Sequence, residues 1–192
     1  MKTEISTNLT QSVMAKQAFV EASSDRIIQL VEWTIETFRS GGKVLIFGNG
    51  GSAADAQHVA AEFVNRFKID RHPLPAIALT TDSSVLTSIG NDFSFDMIFV
   101  KQIQALGKPG DLALGISTSG NSPNVLQAIS TAKEMGLRTA ALTGGSSSPG
   151  GKIGAIADLV LNVPTDNTPH IQEAHLWVEH ILCELVEKEL FS

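Results

Sequence analysis

The chain has 192 residues, of which 43% are hydrophobic and 18% charged, a balance typical of a globular protein with a substantial core. The formal net charge of −6 argues against nucleic acid and against an anionic membrane surface as partners. Cys183 is the only cysteine, so no disulfide can form within the chain. The first residues show no targeting pattern, and no apolar run reaches the about 18 residues of a membrane span. We therefore expect one cytoplasmic domain over residues 1–192.

Strands and helices alternate along the predicted chain. Hydrophobic periodicity predicts two N-terminal helices at 5–21 and 24–39, with Ser23 or Ser24 capping the second, and a buried strand at 44–47. The later elements are a helix at 53–63, a strand at 76–79, helices at 83–90 and 94–106, a strand at 112–116, a helix at 123–135, a strand at 137–142, a short helix at 153–157, a strand at 159–163 and a closing helix at 169–190. This order predicts an α/β fold: a three-layer α-β-α sandwich around a mostly parallel five-stranded sheet, with an N-terminal helical pair and a long C-terminal helix.

The first strand runs directly into a glycine-rich turn, Gly48-Asn49-Gly50-Gly51-Ser52, and then into a helix. Glycines at such a turn allow positive φ and close approach to a ligand, while the helix start leaves N–H groups free for an anion. The third glycine of a dinucleotide fingerprint would fall at Ala53, and no Gly-Lys-Ser/Thr of a Walker motif follows. The spacing therefore excludes both nucleotide motifs.

A polar stripe follows on that helix. Asp55, His58, Glu62 and Arg66 recur at three- and four-residue spacing and therefore share one face. Titratable groups beside a glycine turn indicate a ligand site. A solvated helix face with one incidental histidine fits the same pattern.

A second loop rich in hydroxyl groups follows the strand at 112–116. It reads Ser117-Thr118-Ser119-Gly120-Asn121-Ser122-Pro123, in which Ser122 fits a helix N-cap and Pro123 the first helical position. Four hydroxyls and free N–H groups at a helix start form a cradle suited to a phosphate monoester. An ordinary capped turn needs only one of these hydroxyls, so we favour phosphate binding.

The closing helix carries polar residues within an apolar segment: Gln172, Glu173, His175, Glu179 and His180. Taken singly, each histidine is more often a surface or satisfied core residue than a ligand. Gln172 and His180 are eight residues apart, which corresponds to about 80° and roughly 12 Å along one helix. Both reach one ion only if their side chains lean inward or if a neighbouring subunit completes the site.

These segments together resemble the phosphoheptose isomerase family of sugar isomerase (SIS) domains. The resemblance spans nearly the whole chain and rests on G-N-G-G-S-x-x-D-x-x-H-x-x-x-E (48–62), Gly90-Asn91-Asp92, G-I-S-T-S-G-N-S (115–122) and I-Q-E-x-H-x-x-x-x-H (171–180). The serine loop alone identifies only the broad sugar-phosphate fold, whereas the His/Glu helix with the final Gln and His is more specific. His170 departs from the arginine that many relatives have there.

The resemblance implies an isomerase that interconverts sedoheptulose 7-phosphate and D-glycero-D-manno-heptose 7-phosphate through a cis-enediol, in activated-heptose biosynthesis for lipopolysaccharide. The catalytic acid/base pair it implies is Glu62 and His180. The implied zinc ligands, for one Zn²⁺ per subunit, are His58, Glu62, Gln172 and His180. The implied substrate-binding residues are Asn49, Gly50, Gly51, Ser52, Glu62, Asn91, Asp92, Ser117, Thr118, Ser119, Ser122 and Gln172. The family also implies a homotetramer, with helices of residues 1–40 in oligomer packing and residues 41–192 forming the core and closing helix.

Two other functions share parts of this pattern. A non-enzymatic SIS relative is a tetrameric adaptor that binds the bacterial replication initiator, but it lacks the glutamate and final histidine that correspond to Glu62 and His180. A sugar-phosphate sensor would use the same serine loop without turnover. The presence of both residues favours the enzyme.

Overall fold

A wholly parallel, five-stranded β-sheet forms the centre of the molecule, in a computed structural model that describes residues 1–191. Its strands are β1 (Val44–Gly48), β2 (Ala76–Ala78), β3 (Leu112–Ser117), β4 (Arg138–Gly144) and β5 (Leu159–Val163). Their spatial order is β2-β1-β3-β4-β5, so the direction of strand addition reverses between β1 and β3. Loops diverge at such a reversal and leave a crevice at the carboxyl ends of the two strands.

Helices cover both faces of the sheet. Within residues 1–191 they are α1 (Lys2–Arg39), α2 (Gly51–Val64), α3 (Ser83–Asp92), α4 (Ile98–Leu106), α5 (Pro123–Glu134) and α6 (Thr168–Phe191), with 3₁₀ turns at Phe95–Met97 and Ile153–Ala155. One core lies between the sheet and α1, α2 and α6, and includes Phe19, Phe63 and Val178. The other lies against α4 and α5 and includes Phe99 and Ile129. The predicted three-layer sandwich is confirmed.

The predicted N-terminal helical pair is wrong, because residues 2–39 form one continuous helix. Neither glycine nor proline occurs in this stretch to interrupt it. Ser24 does not cap a new helix, since its hydroxyl donates to the carbonyl of Val20 within the same helix, over 2.6 Å. Ser23 is buried. α1 packs on α6 and β5, where Arg26 Nη1 donates to Val160 O over 2.9 Å.

The loops at the carboxyl ends of the strands position the candidate site. The glycine turn follows β1, and the serine loop, residues 117–123, follows β3. Gly48 of β1 pairs with Ile116 of β3, so the two loops begin side by side at the strand-order reversal. No helix among the described residues has the length and apolar character needed to cross a membrane.

Candidate active site

The glycine turn has the conformation that its sequence predicts. Gly50 has φ of +58°, a left-handed value that disfavours side chains, and α2 begins at the next residue. A Cβ added at Gly51 would stand 2.5 Å from Gln172 Nε2, which shows how closely the Gln172 amide packs on the backbone. The bare backbone at Gly51 thus makes room for Gln172.

α2 and α6 run side by side in the same direction, and we call their contact line the helix seam. Gly51 meets Gln172 at its beginning, His58 meets His180 in its middle, and Phe67, just beyond α2, meets Glu187 at its end. Parallel helices keep a constant residue offset, so these pairs follow one another along the seam.

The middle of the seam brings together three of the predicted catalytic and metal-binding residues. His58 Nε2 and His180 Nε2 lie 2.8 Å apart, so one of these two nitrogens donates a hydrogen bond and the other accepts it. Glu62 Oε1 lies 3.7 Å from His58 Nε2. His58 is 39% exposed and Glu62 24% exposed, so both remain accessible to a ligand. The local arrangement can both accept and donate protons.

Gln172 is not part of this group. It lies at Gly51, eight residues before His180 on the same helix, which corresponds to roughly 12 Å of rise. Among the described residues, no three His, Cys, Asp or Glu side chains meet the spacing of a metal site as they stand. The chemistry of the donor set nevertheless suits zinc, because two imidazole nitrogens and a carboxylate converge on one region.

The serine loop forms a cavity of hydroxyl and N–H groups at the end of β3. Ser117 Oγ and Ser122 Oγ are 2.9 Å apart, and Ser119 Oγ accepts the N–H of Asn121. Ser122 occupies the N-cap position of α5, but its side chain makes no capping hydrogen bond. Thr118 and Ser119 line a cavity of about 260 Å³.

The loop after β4 packs on the serine loop. Lys152 N–H donates to Asn121 Oδ1 over 3.1 Å, and Ile153 N–H donates to Gly120 O over 2.9 Å. Ser147 and Ser148 line the same cavity as Thr118 and Ser119. The sequence predicted that only the serine loop would supply hydroxyl groups to this site, and the loop after β4 adds further hydroxyl groups to the same cavity.

A reciprocal amide pair that the sequence did not predict connects the glycine turn to α5. Asn49 Nδ2 donates to Asn124 Oδ1, and Asn124 Nδ2 donates to Asn49 Oδ1, both over 2.8 Å. Asn124 is buried, and its Oδ1 also accepts the N–H of Val125. The pair fixes the two loops relative to each other. Its only signal in the sequence is a polar residue one position after Ser122-Pro123.

The side chains of Asn91 and Asp92 bind each other. These are the last two residues of α3 rather than the turn that the sequence predicted, and both are exposed. Asn91 Nδ2 donates to Asp92 Oδ1 over 2.9 Å. No hydrogen bond among the described residues joins their side chains to the glycine turn, the serine loop or the seam. The helix extends through them because Ile89 O still accepts the N–H of Phe93.

Burial shifts the pKa of three ionisable groups near the seam: Glu179 and His175 are buried, and Asp55 is partly buried. Burial raises the pKa of Glu179 to about 8, with a smaller contribution from the charge of Asp55. Burial also raises the pKa of Asp55, against an opposing effect of His58. Burial lowers the pKa of His175 to about 4, although its Nε2 contacts Thr143 O at 3.0 Å. Glu179 and His175 are therefore neutral at near-neutral pH.

The fold, the glycine turn and the serine loop define the class to which the chain belongs, and the SIS domain family matches residues 9–144. A phosphoheptose isomerase of Nitratidesulfovibrio vulgaris is 50% identical over 95% of this chain and 86% of its own length. The solved phosphoheptose isomerase of Neisseria gonorrhoeae has a TM-score of 0.91 and 43% identity, covering 97% of this chain and 98% of its own. That of Francisella tularensis has a TM-score of 0.91 and 39% identity, covering 96% and 97%.

The chain therefore belongs to the SIS domain family and, within it, to the phosphoheptose isomerases. This confirms the family that the four sequence segments indicated. These three relatives support the isomerase, and none of them is a replication-initiator adaptor.

Proposed function

We propose that this protein interconverts sedoheptulose 7-phosphate and D-glycero-D-manno-heptose 7-phosphate in activated-heptose biosynthesis. The observation that carries the proposal is the contact of His58 with His180 beside Glu62, on the helix that begins at the glycine turn, which itself lies beside the serine loop. An open-chain sugar phosphate needs an anion site at one end and proton carriers at the other. The family relatives named above support the same reaction.

Glu62 and His180 are the proposed proton carriers. Isomerisation moves a proton between C1 and C2 and passes through a cis-enediol, so it requires a base at carbon and an acid at oxygen. A carboxylate and an imidazole serve both purposes near neutral pH. Glu62 is proposed to abstract the carbon proton while His180 relays protons to and from the substrate oxygens. The contact between His180 and His58 orients the His180 ring.

Phosphate binding is assigned to the serine loop. Ser117, Thr118, Ser119 and Ser122 supply hydroxyls, and the start of α5 supplies free N–H groups. The proposed sugar-binding residues are Asn49, Gly50, Gly51, Ser52, Glu62, Asn91, Asp92 and Gln172. The reciprocal bond of Asn49 with Asn124 supports this assignment because it joins the sugar and phosphate loops.

A zinc ion, one per subunit, is proposed at His58, Glu62, Gln172 and His180. Zinc bound there would polarise substrate oxygens as a Lewis acid. The position of Gln172 at Gly51 means that it joins the other three ligands only by moving its side chain or through an adjacent subunit. A glutamate bound tightly to zinc is a poorer base, so Glu62 would have to leave the metal, or bind it weakly, when it accepts a proton.

Assembly as a homotetramer is also proposed, with α1 as part of the contact between subunits. Exposed apolar side chains on the first half of α1, Ile5, Leu9 and Val13, support this proposal because they have no cover within the described chain. The cytoplasm is the expected location, which cell fractionation tests.

The deciding experiment replaces Glu62 by Gln. Wild type should convert sedoheptulose 7-phosphate to the aldose, followed by NMR with and without added zinc. We expect Glu62→Gln to lose at least about 100-fold in kcat while still binding substrate, because the amide keeps the size and hydrogen bonding of the side chain but cannot accept the carbon proton. Glu189→Gln, which changes an exposed carboxylate on α6, is the matched control and should keep full activity.

Two outcomes would contradict the proposal. Substantial turnover by Glu62→Gln would exclude its role as the base. Absence of turnover by wild type under both metal conditions, together with tight binding of a replication initiator, would favour the adaptor instead.

A further inference from the structure

A buried ion pair, Arg71 with Glu187, lies at the end of the helix seam beyond the residues that the proposed chemistry uses. Arg71 Nε donates to Glu187 Oε1 over 3.0 Å, and the two side chains are only 1% and 2% exposed. The pair stands where the chain leaves α2 and passes through residues 65–75 to β2. A buried ion pair costs desolvation, so its other contacts decide what it does.

Arg71 binds the end of α2. Its Nη2 donates to Glu62 O over 2.9 Å, and its Nη1 donates to Phe63 O over 2.7 Å. These carbonyls lie in the last turn of the helix, where no further helical N–H is available, and a cation there also suits the helix dipole. The guanidinium therefore holds the main chain of Glu62 itself.

Glu187 binds the segment that follows α2. Its carboxylate accepts the N–H groups of Phe67, Lys68 and Ile69 over 3.0, 2.6 and 2.9 Å. Burial alone would raise the pKa of Glu187, but these donors and Arg71 hold it below its ordinary value. The segment so fixed places the Phe67 ring 5.7 Å from the His180 ring, with the planes at 31°.

We propose that Arg71 and Glu187 are positioning residues that set the placement of Glu62 relative to His180, an inference that rests on the proposed isomerase function. Arg71 fixes Glu62 through its carbonyl. Glu187 lies seven residues after His180, nearly two turns along the same face of α6. The ion pair thereby joins the two helices that carry the proton carriers, and Phe67 supports one side of the His180 ring.

The test measures kcat and KM for Arg71→Lys and Glu187→Gln at a temperature where circular dichroism shows every variant folded. Lysine keeps the charge but lacks the fork that reaches Glu62 O and Phe63 O. We expect kcat to fall by about 10- to 100-fold with KM changed less than about threefold, because misplacement of a proton carrier affects the reaction more than binding.

Asp111→Asn is the matched control for stability. Asp111 is also a buried carboxylate that binds a lysine, Lys43, and two backbone N–H groups, but none of these partners belongs to α2, α6 or the segment that joins α2 to β2. Its loss should lower the melting temperature and leave kcat unchanged. The double variant Arg71→Met/Glu187→Leu removes both charges together but leaves the backbone groups that the pair binds without these partners, so both the melting temperature and kcat should fall.

The positioning role is overturned if Arg71→Lys and Glu187→Gln keep wild-type kcat, if Asp111→Asn loses kcat to the same extent, or if the apolar double variant regains full kcat. Wild-type activity toward sedoheptulose 7-phosphate is measured in the same series. Its absence would count against the proposed function, whereas an active wild type with fully active variants would count against the ion pair alone.

Discussion

Burial keeps Glu179 and His175 neutral, and the two affect stability in opposite directions. Neither carboxylate oxygen of Glu179 has a hydrogen-bond partner within the described residues, and His175 Nδ1 also has none. An ionised carboxylate in such surroundings is costly, so the folded chain retains the proton. The pH dependence of folding should report both groups.

Replacement of Glu179 by Gln should make the free energy of unfolding decrease less steeply as the pH rises. The folded-state pKa of Glu179 is raised to about 8 from an ordinary 4.5, so its favourable contribution is fully present below pH 4.5. Between these values the unfolded chain binds fewer protons than the folded one, and the free energy of unfolding falls by at most about 1.4 kcal/mol per pH unit from this group. Glutamine stays neutral at every pH and removes that slope.

Urea unfolding at pH 5, 6, 7 and 8 measures the effect, with Glu189→Gln as a control that removes an exposed carboxylate. An identical slope for wild type and Glu179→Gln would show that Glu179 ionises freely in the fold.

His175 makes the free energy of unfolding depend on pH in the opposite direction. Its pKa is lowered to about 4 from 6.5, so its contribution is lost as the pH falls from 6.5 towards 4.

At the scale of the elements, a glycine at the beginning of α2 makes room for a side chain of the neighbouring helix α6. Gly50 needs its positive φ, but Gly51 does not, and is bare because Gln172 of α6 packs on it. Alanine at Gly51 should leave helix stability unchanged or raise it by up to about 1 kcal/mol. The added methyl group would displace the Gln172 amide.

We therefore expect Gly51→Ala to fold well and to lose about tenfold or more in isomerase activity, because a displaced Gln172 no longer meets the substrate or zinc. Thermal unfolding and the NMR assay measure the two effects separately. Ala54→Gly, at an exposed position on the same helix, should show the reverse: lower stability and full activity. Full activity of Gly51→Ala would remove Gln172 from the site.

Periodicity and turn residues predicted most element positions, but not how helices end. The sequence could not distinguish the continuous α1 from two helices, because a serine can either cap a new helix or lie within a helix. Ser23 is in fact buried within α1, and the Ser24 hydroxyl binds a carbonyl of the preceding turn. Asn91 and Asp92 were predicted as a turn because both residues are typical of turns. Packing of α3 against α4 and against the 3₁₀ turn at Phe95–Met97 overrides that preference.

For the whole molecule, the first half of α1 exposes apolar side chains that the described chain does not cover. Ile5, Leu9 and Val13 recur every four residues and are 70%, 64% and 44% exposed. Glutamate at both Leu9 and Val13 should reduce the proposed tetramer to smaller species, because charges cannot be buried unpaired in an apolar contact. Size-exclusion chromatography with light scattering measures the mass.

Thr10→Glu, which adds a charge at an exposed polar position of the same helix, should leave the mass unchanged. An unchanged mass for the double variant would place the subunit contact elsewhere. Activity that falls together with the mass would show that adjacent subunits complete the site.

The candidate site was predictable where chemistry concentrates in short segments, and not where it depends on long-range contact. His58, Glu62 and His180 could be named because spacing and resemblance mark them, and their meeting is seen only in the fold. No motif or spacing in the sequence indicated a role for Arg71 or Glu187. A lone arginine after a helix and one glutamate among several on α6 become informative only when burial and partners are known.

The parallel course of α2 and α6 restricts how this chain can change its length. One residue inserted into either helix rotates everything beyond it by about 100° and advances it by about 1.5 Å. An insertion between Gly51 and His58 would leave Gln172 in place and separate both His58 from His180 and Phe67 from Glu187. Length changes should therefore be tolerated in turns on the other face of the sheet, such as that between α5 and β4, and not between the first and last contacts of the seam.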